Sequence, residues 1–290
     1  VVTAPETTVD DVGRQSRAES KWVGRLLPAV FGLMGLLAVV HALLITTDTW
    51  EVALNTGAVV GLLILQPDFG SLSLILAITA GMLVLGGVNM PRMFGPVLVG
   101  LPVLAAIAIA EPYRVRRFTS FMNPWADPFD SGYQLTNALM AVGRGEVFGV
   151  GLGASVQKLS YLPEAHTDFI LAVIAEELGL VGVALVVSLY ALLAGRAFWV
   201  GLKCVEMRRH FAGYCAFGIA LWMSLQSFVS IGVNLGLLPT KGLTLPLISS
   251  GGSSVLMTSM ALGLLLRVSY ELERAERQVA RLRGEALQPA

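Results

Sequence analysis

The sequence predicts an all-α fold, a polytopic bundle of membrane helices with one large extracytoplasmic loop and re-entrant segments. Three observations predict it. Hydrophobic residues make up 55% of the 290 positions and charged residues only 14%, against roughly a quarter charged in soluble domains, with a mean hydropathy of +0.71. Apolar stretches of about 20 residues, the length that crosses a bilayer, recur along the chain. Between them lie Pro- and Gly-rich apolar passages, which at membrane depth must be buried by protein or line a wet cavity.

Taken in order, residues 1–25 form a polar tail with Pro5, Asp10 and Asp11, the composition of a disordered segment. Spans are expected at 26–45, 69–88, 94–111, 169–195, 211–238 and 254–268, the last slightly short unless residues 251–253 belong to it. The stretch 52–66 is apolar but brief, and fits a re-entrant segment as well as a span. Residues 26–270 thus make a transmembrane domain, with loop 112–168 inside it and a cytoplasmic tail at 271–290. Leu272, Ala275, Val279 and Leu282 share one stripe of that tail. It reads as a short helix leaving the last span onto the membrane surface, either a solvated extension or a partner-binding element.

Cytoplasmic flanks are rich in Lys and Arg. This places Arg196, Lys203, Arg208 and Arg209, in the loop expected after 169–195, on the cytoplasmic side together with Arg267, Arg274, Arg277, Arg281 and Arg283. Loop 112–168 and Lys241 then lie outside.

Twenty basic and twenty acidic residues cancel, which removes the electrostatic footprint of a nucleic-acid binder. Cys204 and Cys215 lie in or beside apolar segments and read as small buried hydrophobes. The sequence has no GxxxxGK[ST], HExxH, CxxC or nucleophile elbow, so nothing supports ATP-driven transport or zinc hydrolysis.

Chemistry-bearing residues gather in three places. Loop 112–168 exceeds the length of an ordinary connection and reads as a folded cap. Phe118, Phe121, Trp125, Phe129, Tyr133, Phe148 and Tyr161 are available to pack it, and Gly143, Gly145, Gly149, Gly151 and Gly153 allow tight turns. At its end Glu164, His166 and Asp168 fall within five residues at the mouth of a span. Thr167 or Asp168 could cap that helix. Alternatively Asp168 is a carboxylate held at the water–lipid boundary, partly desolvated and usable as a general base. Glu176 and Glu177, further along the same span, must face the bundle interior or a wet cavity.

In Gln66-Pro67-Asp68-Phe69-Gly70, Asp68 either caps the following helix or shapes the same cavity. The passage 238–254, LPTKGLTLPLISSGGSS, is a broken or re-entrant stretch whose one cation, Lys241, is an anion ligand or a snorkelling interfacial lysine. Arg114, Arg116 and Arg117 add positive charge on the side that usually avoids it. Carboxylates beside cations at a lipid interface suit an anionic lipid-linked substrate.

QPDFGS at 66–71, YLPEAHTDFI at 161–170, AEELGLVG at 175–182 and LPTKGLTLPLISSGGSS at 238–254 resemble the SEDS family of bacterial cell-wall polymerases, in its cell-division branch rather than its elongation branch. The resemblance covers roughly residues 60–270. It implies a multi-pass protein of the bacterial inner membrane at the division septum. The implied activity is that of a peptidoglycan glycosyltransferase, polymerising lipid II, an undecaprenyl-pyrophosphate-linked disaccharide peptide, on the periplasmic face. A class B penicillin-binding protein transpeptidase and other division proteins are the implied partners.

Asp168 is the catalytic residue the resemblance implies, with Glu164 beside it. Lys241 is implied on the substrate side, where we add Arg114, Arg117, His166, Asp68, Ser249 and Ser253 as substrate-binding candidates. No cofactor is implied with certainty; a divalent cation, Mg or Mn, beside the pyrophosphate is the candidate. Two features depart from the family: upstream helices with NGxxRW and QPSE stretches are not found, which implies a shortened or rearranged N-terminal part, and Ser250 stands where a tyrosine is usual. A lipid II flippase and a non-catalytic scaffold for the transpeptidase are the alternative functions, the first using the same broken helices and intramembrane carboxylates.

Overall fold

In a computed structural model, residues 69–88, 120–130, 132–159, 162–240 and 242–286 are described. Five helices carry most of the regular structure among them: α1 (Phe69–Leu85), α2 (Tyr133–Gly145), α3 (Ile170–Glu206), α4 (His210–Asn234) and α5 (Gly252–Ala286); residues 120–122 are helical as well. Two single 3₁₀ turns, Pro124–Ala126 and Gln157–Leu159, flank α2. No strand occurs among the described residues. The expected spans at 26–45 and 94–111 and the stretch 52–66 lie outside them.

Of these helices α3, α4 and α5 are long and apolar enough to cross a membrane, and α1 is a shorter apolar helix. α4 is the central one and packs against α1, α3 and α5. At one end Ala197, Val200 and Cys204 of α3 meet Ala216, Ile219, Ala220 and Met223 of α4 and Ala261, Leu265, Val268 and Leu272 of α5. Small side chains let the backbones approach, since lipid offers no hydrophobic drive between helices. A Cβ on Gly201 would stand 2.6 Å from the Phe217 ring. Outward from this core, Leu185, Leu189 and Leu192 of α3 and Leu256, Met260 and Leu266 of α5 are exposed, as lipid-facing positions should be. Both cysteines are buried, as their apolar surroundings predict.

Helices expected over 69–88 and 211–238 end earlier, at Leu85 and Asn234, and two boundaries differ more. The span expected to end at 195 continues as helix to Glu206, so Arg196 and Lys203 sit on its last turns rather than in a loop, and the connection to α4 shrinks to Met207–Arg209. Basic side chains mark where hydrocarbon ends, but the backbone has no reason to stop there; Arg196 lies 4.2 Å over the Trp199 ring within the helix. The last span and the stripe expected at 271–286 form one unbroken helix, α5, in which Leu272 and Ala275 are buried while Val279 and Leu282 are exposed.

The decisive irregularity lies in α3. Gly179 has φ 65° and ψ −161°, which divides α3 into a short leading segment up to Leu178 and a segment from Leu180 that still runs about 40 Å at 1.5 Å per residue. Breaking a helix frees backbone groups that must find partners. The chain after α2 supplies them: Val150 N donates to Glu176 O at 3.0 Å and Gly151 N to Glu177 O at 3.1 Å, while Leu180 N donates to Glu146 O at 3.0 Å and Val181 N to Val147 O at 3.2 Å. Contact is too close for side chains, because a Cβ on Gly179 would lie 2.5 Å from Val147 O and one on Gly149 2.1 Å from Glu177 O.

The described part of the long loop is folded. Of its expected packing aromatics, Phe121 and Tyr133 are half-buried, Trp125, Phe129 and Phe148 are exposed, and Phe118 and Tyr161 lie outside the described residues. Ala138 and Ala141 of α2 pack with Leu162, Ala165, Phe169, Ala172, Val173 and Val233. Close approach of α2 to α3 needs small residues: a Cβ on Gly145 would stand 1.8 Å from Ala175 O.

The leading end of α3 is secured from α4. Its N-cap residue, Phe169, makes no side-chain cap bond, and the Thr167 hydroxyl is turned to Glu164. Asn234, fully buried, accepts from Ala172 N through Oδ1 at 3.0 Å and donates through Nδ2 to Asp168 O at 2.9 Å and Ser230 O at 2.8 Å.

Substituting Gly179→Ala is expected to lower stability by about 2–4 kcal/mol through its left-handed φ and the backbone contact, read as a lower unfolding midpoint in detergent. Asn234→Ala removes the donor to Asp168 O and leaves the Ala172 N–H with Phe169 O alone, at an expected cost of about 2 kcal/mol, and Asn234→Asp is expected to lose at least as much, because it buries a carboxylate against the Asp168 and Ser230 carbonyls; the same unfolding measurement ranks the three.

Candidate functional site

The turn 162–168 and the passage 235–251 come together at the loop end of α3 and α4. Glu164 adopts φ 59°, an uncommon conformation for a residue with a side chain. The turn it starts closes on its own carbonyl, which accepts from Thr167 N at 3.1 Å and Phe169 N at 3.3 Å. Its carboxylate accepts from Thr167 Oγ1 at 2.8 Å. Asp168 closes this turn immediately before α3.

The second passage has no regular helix in its described part, as two prolines and three glycines predict, and its fold is stitched to the first. Ser249 Oγ donates to Thr167 O at 2.6 Å and accepts from Leu245 N at 2.7 Å. Ser250 N donates to His166 O at 2.8 Å. The α4 side chain Gln226 donates to Thr244 O at 2.9 Å, and the Tyr190 hydroxyl on α3 donates to Pro246 O. Leu243 is buried with Leu74 and Ile78 of α1 and Cys215 and Phe217 of α4. Between these anchors Gly242 reaches the acid: a Cβ there would stand 3.2 Å from Asp168 Oδ2.

The candidates read from sequence fall as follows. Asp168 and Glu164 are half-buried and His166 is exposed, all three on one turn. Ser249 is 2% exposed, with its hydroxyl committed to the two bonds above. Ser253 is half-buried in the first turn of α5. Asp68, Arg114, Arg117 and Lys241 lie outside the described residues. Among the described residues no three His, Cys, Asp or Glu side chains converge in a way that could hold a metal ion.

Glu176 meets its expectation of an interior position. It is fully buried and accepts from Ser155 Oγ at 2.5 Å, Arg144 at 3.2 Å, Val156 N at 3.2 Å and Gln157 N at 3.4 Å. Glu177 pairs with Lys158 at 2.5 Å. Sequence reasoning missed Asn234 and the partners of Glu176. An asparagine inside the span 211–238 was the available signal, because polar groups at membrane depth are costly without a role. Ser155 carries no such signal, since serine is ordinary in loops.

Three comparisons place the chain among known proteins. Residues 29–274 match the model of the FtsW/RodA/SpoVE family, described as cell cycle proteins. The chain is 67% identical over 247 residues to a probable peptidoglycan glycosyltransferase FtsW of Xanthomonas oryzae pv. oryzae, covering 83% of this chain and 51% of that one. It is 52% identical over 210 residues to a protein of the same name from Legionella pneumophila, covering 72% and 53%. The chain thus spans about half the length of these relatives. Among solved structures it resembles a chain from work on the structural coordination of polymerization and crosslinking by a peptidoglycan synthase complex, at 32% identity and TM-score 0.67 over 84% of this chain and 70% of that one. It also resembles the rod shape determining protein RodA of Thermus thermophilus, at 33% identity and TM-score 0.54 over 82% and 62%. With its apolar bundle, its broken passage and its PEAHTD turn, this chain belongs to the FtsW/RodA/SpoVE family of multi-pass membrane proteins.

Proposed function

We propose that this protein is a peptidoglycan glycosyltransferase that polymerises lipid II at the periplasmic face of the bacterial inner membrane during septal wall synthesis. The observation that carries the reading is the meeting of the two motif-bearing segments: the Asp168 carboxylate lies against Gly242, next in sequence to Lys241, in a turn held by Asn234 and Ser249. The names of the relatives, probable peptidoglycan glycosyltransferases, support the same reaction class.

In this mechanism Asp168 accepts the proton from a sugar hydroxyl of the acceptor lipid II as its oxygen attacks the anomeric carbon of the donor chain. The bond from that carbon to the undecaprenyl pyrophosphate breaks, and the pyrophosphate leaves as an anion. A base of this kind must be fixed, because catalysis falls steeply when the reacting atoms are misplaced. The backbone of the turn is fixed at both sides of Asp168, through the bonds at Thr167 O and Asp168 O. Exposed His166 lies beside the base on the solvent side, and Lys241, with Arg114 and Arg117, would counter the charge on the departing pyrophosphate. Glu164 sets the shape of the turn through its left-handed backbone and its bond from Thr167. The solved peptidoglycan synthase complex among the structural relatives supports a class B penicillin-binding protein as the partner that crosslinks the product.

Lipid II polymerisation by the purified protein with its transpeptidase partner tests the reading. Asp168→Asn and Asp168→Ala are expected to lose about 10²–10⁴-fold in rate, the range for a general base, with folding and partner binding retained. Full activity in either variant would remove Asp168 from the chemistry, whereas a wild-type protein that makes no glycan strands while folded and partner-bound would leave a scaffold or flippase role. Gly242→Ala tests the contact itself: its Cβ lies 3.2 Å from Asp168 Oδ2, so the carboxylate must yield by a few tenths of an ångström. The turnover rate is expected to fall by about tenfold while the unfolding midpoint hardly moves.

A further inference from the structure

We infer that Glu176 is a positioning residue for Asp168, acting as the far anchor of the short helical segment that carries the catalytic turn. The inference rests on the general-base reading of Asp168. Its starting point is the break at Gly179, where φ 65° and ψ −161° separate the leading segment of α3 from the long membrane-crossing part. A continuous helix would transmit the rigidity of the bundle to its first residue. This one is interrupted, so the leading segment takes its orientation from whatever holds its two ends.

At the near end the anchor is Asn234, bonded to Asp168 O and Ala172 N. At the far end, about 12 Å along the axis at 1.5 Å per residue, it is Glu176. Its carboxylate collects a hydroxyl, a guanidinium and two backbone N–H groups from the end of α2 and the loop that follows it: Ser155, Arg144, Val156 and Gln157. A buried carboxylate is expensive unless fully partnered, and this one is 0% exposed with all its partners donors. No neutral side chain of the same shape satisfies such a set, because the amide of glutamine turns an N–H₂ toward one of the donors. Arg144 has a side chain 49% exposed, so the latch is fastened from the loop surface and ties α2 to the segment behind the base.

A residue that only stabilised the fold would change the amount of folded protein. One that positions the base changes the turnover of protein that is folded.

The test measures kcat and KM for lipid II polymerisation by the full protein with its transpeptidase partner, alongside the unfolding midpoint, for Glu176→Gln, Arg144→Gln and the double variant. Expected are a fall in kcat of at least about tenfold for Glu176→Gln with KM little changed, beyond what any lost folded fraction explains. The double variant is expected to be no worse than Glu176→Gln, since Arg144 would act through the carboxylate alone. Unchanged kcat, a loss matching the lost folded fraction, or additive effects, which would make Arg144 an independent ligand of the substrate, overturns the inference. Should Glu176→Gln fail to fold, Ser155→Ala removes one donor and keeps the ion pair; kcat down several-fold at an unchanged midpoint sustains the inference, and unchanged kcat overturns it. Asp168→Asn in the same assay separates the two levels. If that variant is active, the general-base reading fails and takes this inference with it; if it is inactive while the Glu176 variants turn over normally, only the positioning role fails.

Discussion

The structure depends on one constraint, the pairing of backbone polar groups in an apolar setting. A helix meets it alone, which is why apolar spans are helical; a break in a helix must be met by something else. In this chain the break falls at Gly179, and the backbone of residues 146–151 meets it with four hydrogen bonds across the gap. The folded loop is thereby not an ornament on a finished bundle. Without it Glu176 O, Glu177 O, Leu180 N and Val181 N would face the interior without those partners, and without the break the loop would have no seat on α3.

The same logic runs through the other irregular passage. Residues 235–240 and 242–251 leave the helical pattern, and their backbone is taken up in part by side chains from regular elements, Gln226 and Tyr190, and by Ser249 within the passage itself. Asn234, the last residue of α4, performs this service for α3. Irregular backbone can be precise only where it is held from several directions, and a carboxylate meant for catalysis gains from that precision. Asp168 stands where both irregular stretches meet, one residue before a helix and against a glycine of the other passage.

Much of this was legible in the sequence, and what was not has a physical reason. The helices at 69–85, 170–206, 210–234 and 252–286 follow from apolar length, because a span is a statement about many residues at once. Their ends do not follow from it: basic residues such as Arg196 and Lys203 mark a change of solvent, and the helix passes through it unaltered. The turn holding Glu164, His166 and Asp168 was visible as ionisable groups crowded at the mouth of a span. A side-chain partner for the Ala172 N–H at the start of α3 comes from Asn234, 62 positions beyond it, a separation to which local rules are blind. Three of the loop's aromatics, Trp125, Phe129 and Phe148, misled in the opposite sense. Bulk looked like packing material, while the contact of α2 with α3 uses Gly145, Ala138 and Ala141, because closely approaching backbones leave little space for rings.

Small residues and buried polar groups thus divide the work. Gly145, Gly149 and Gly179 bring two backbones into contact by what they lack, Glu176 fixes that contact by what it bonds, and Asn234 and Ser249 fix the turn ahead of it in the same way. Neither suffices alone: close approach without polar anchors leaves a seam free to slide, and polar anchors without close approach bury unmet donors at several kcal/mol each. The two neighbouring glutamates show the division within a single turn. Glu176 turns inward to the loop backbone, Ser155 and Arg144, while Glu177, on the adjoining face, pairs with Lys158. Both bind the chain that follows α2 to the segment carrying Asp168. Charges that would be a liability in lipid become affordable here because the break at Gly179 brings the loop to them with its donors already in place.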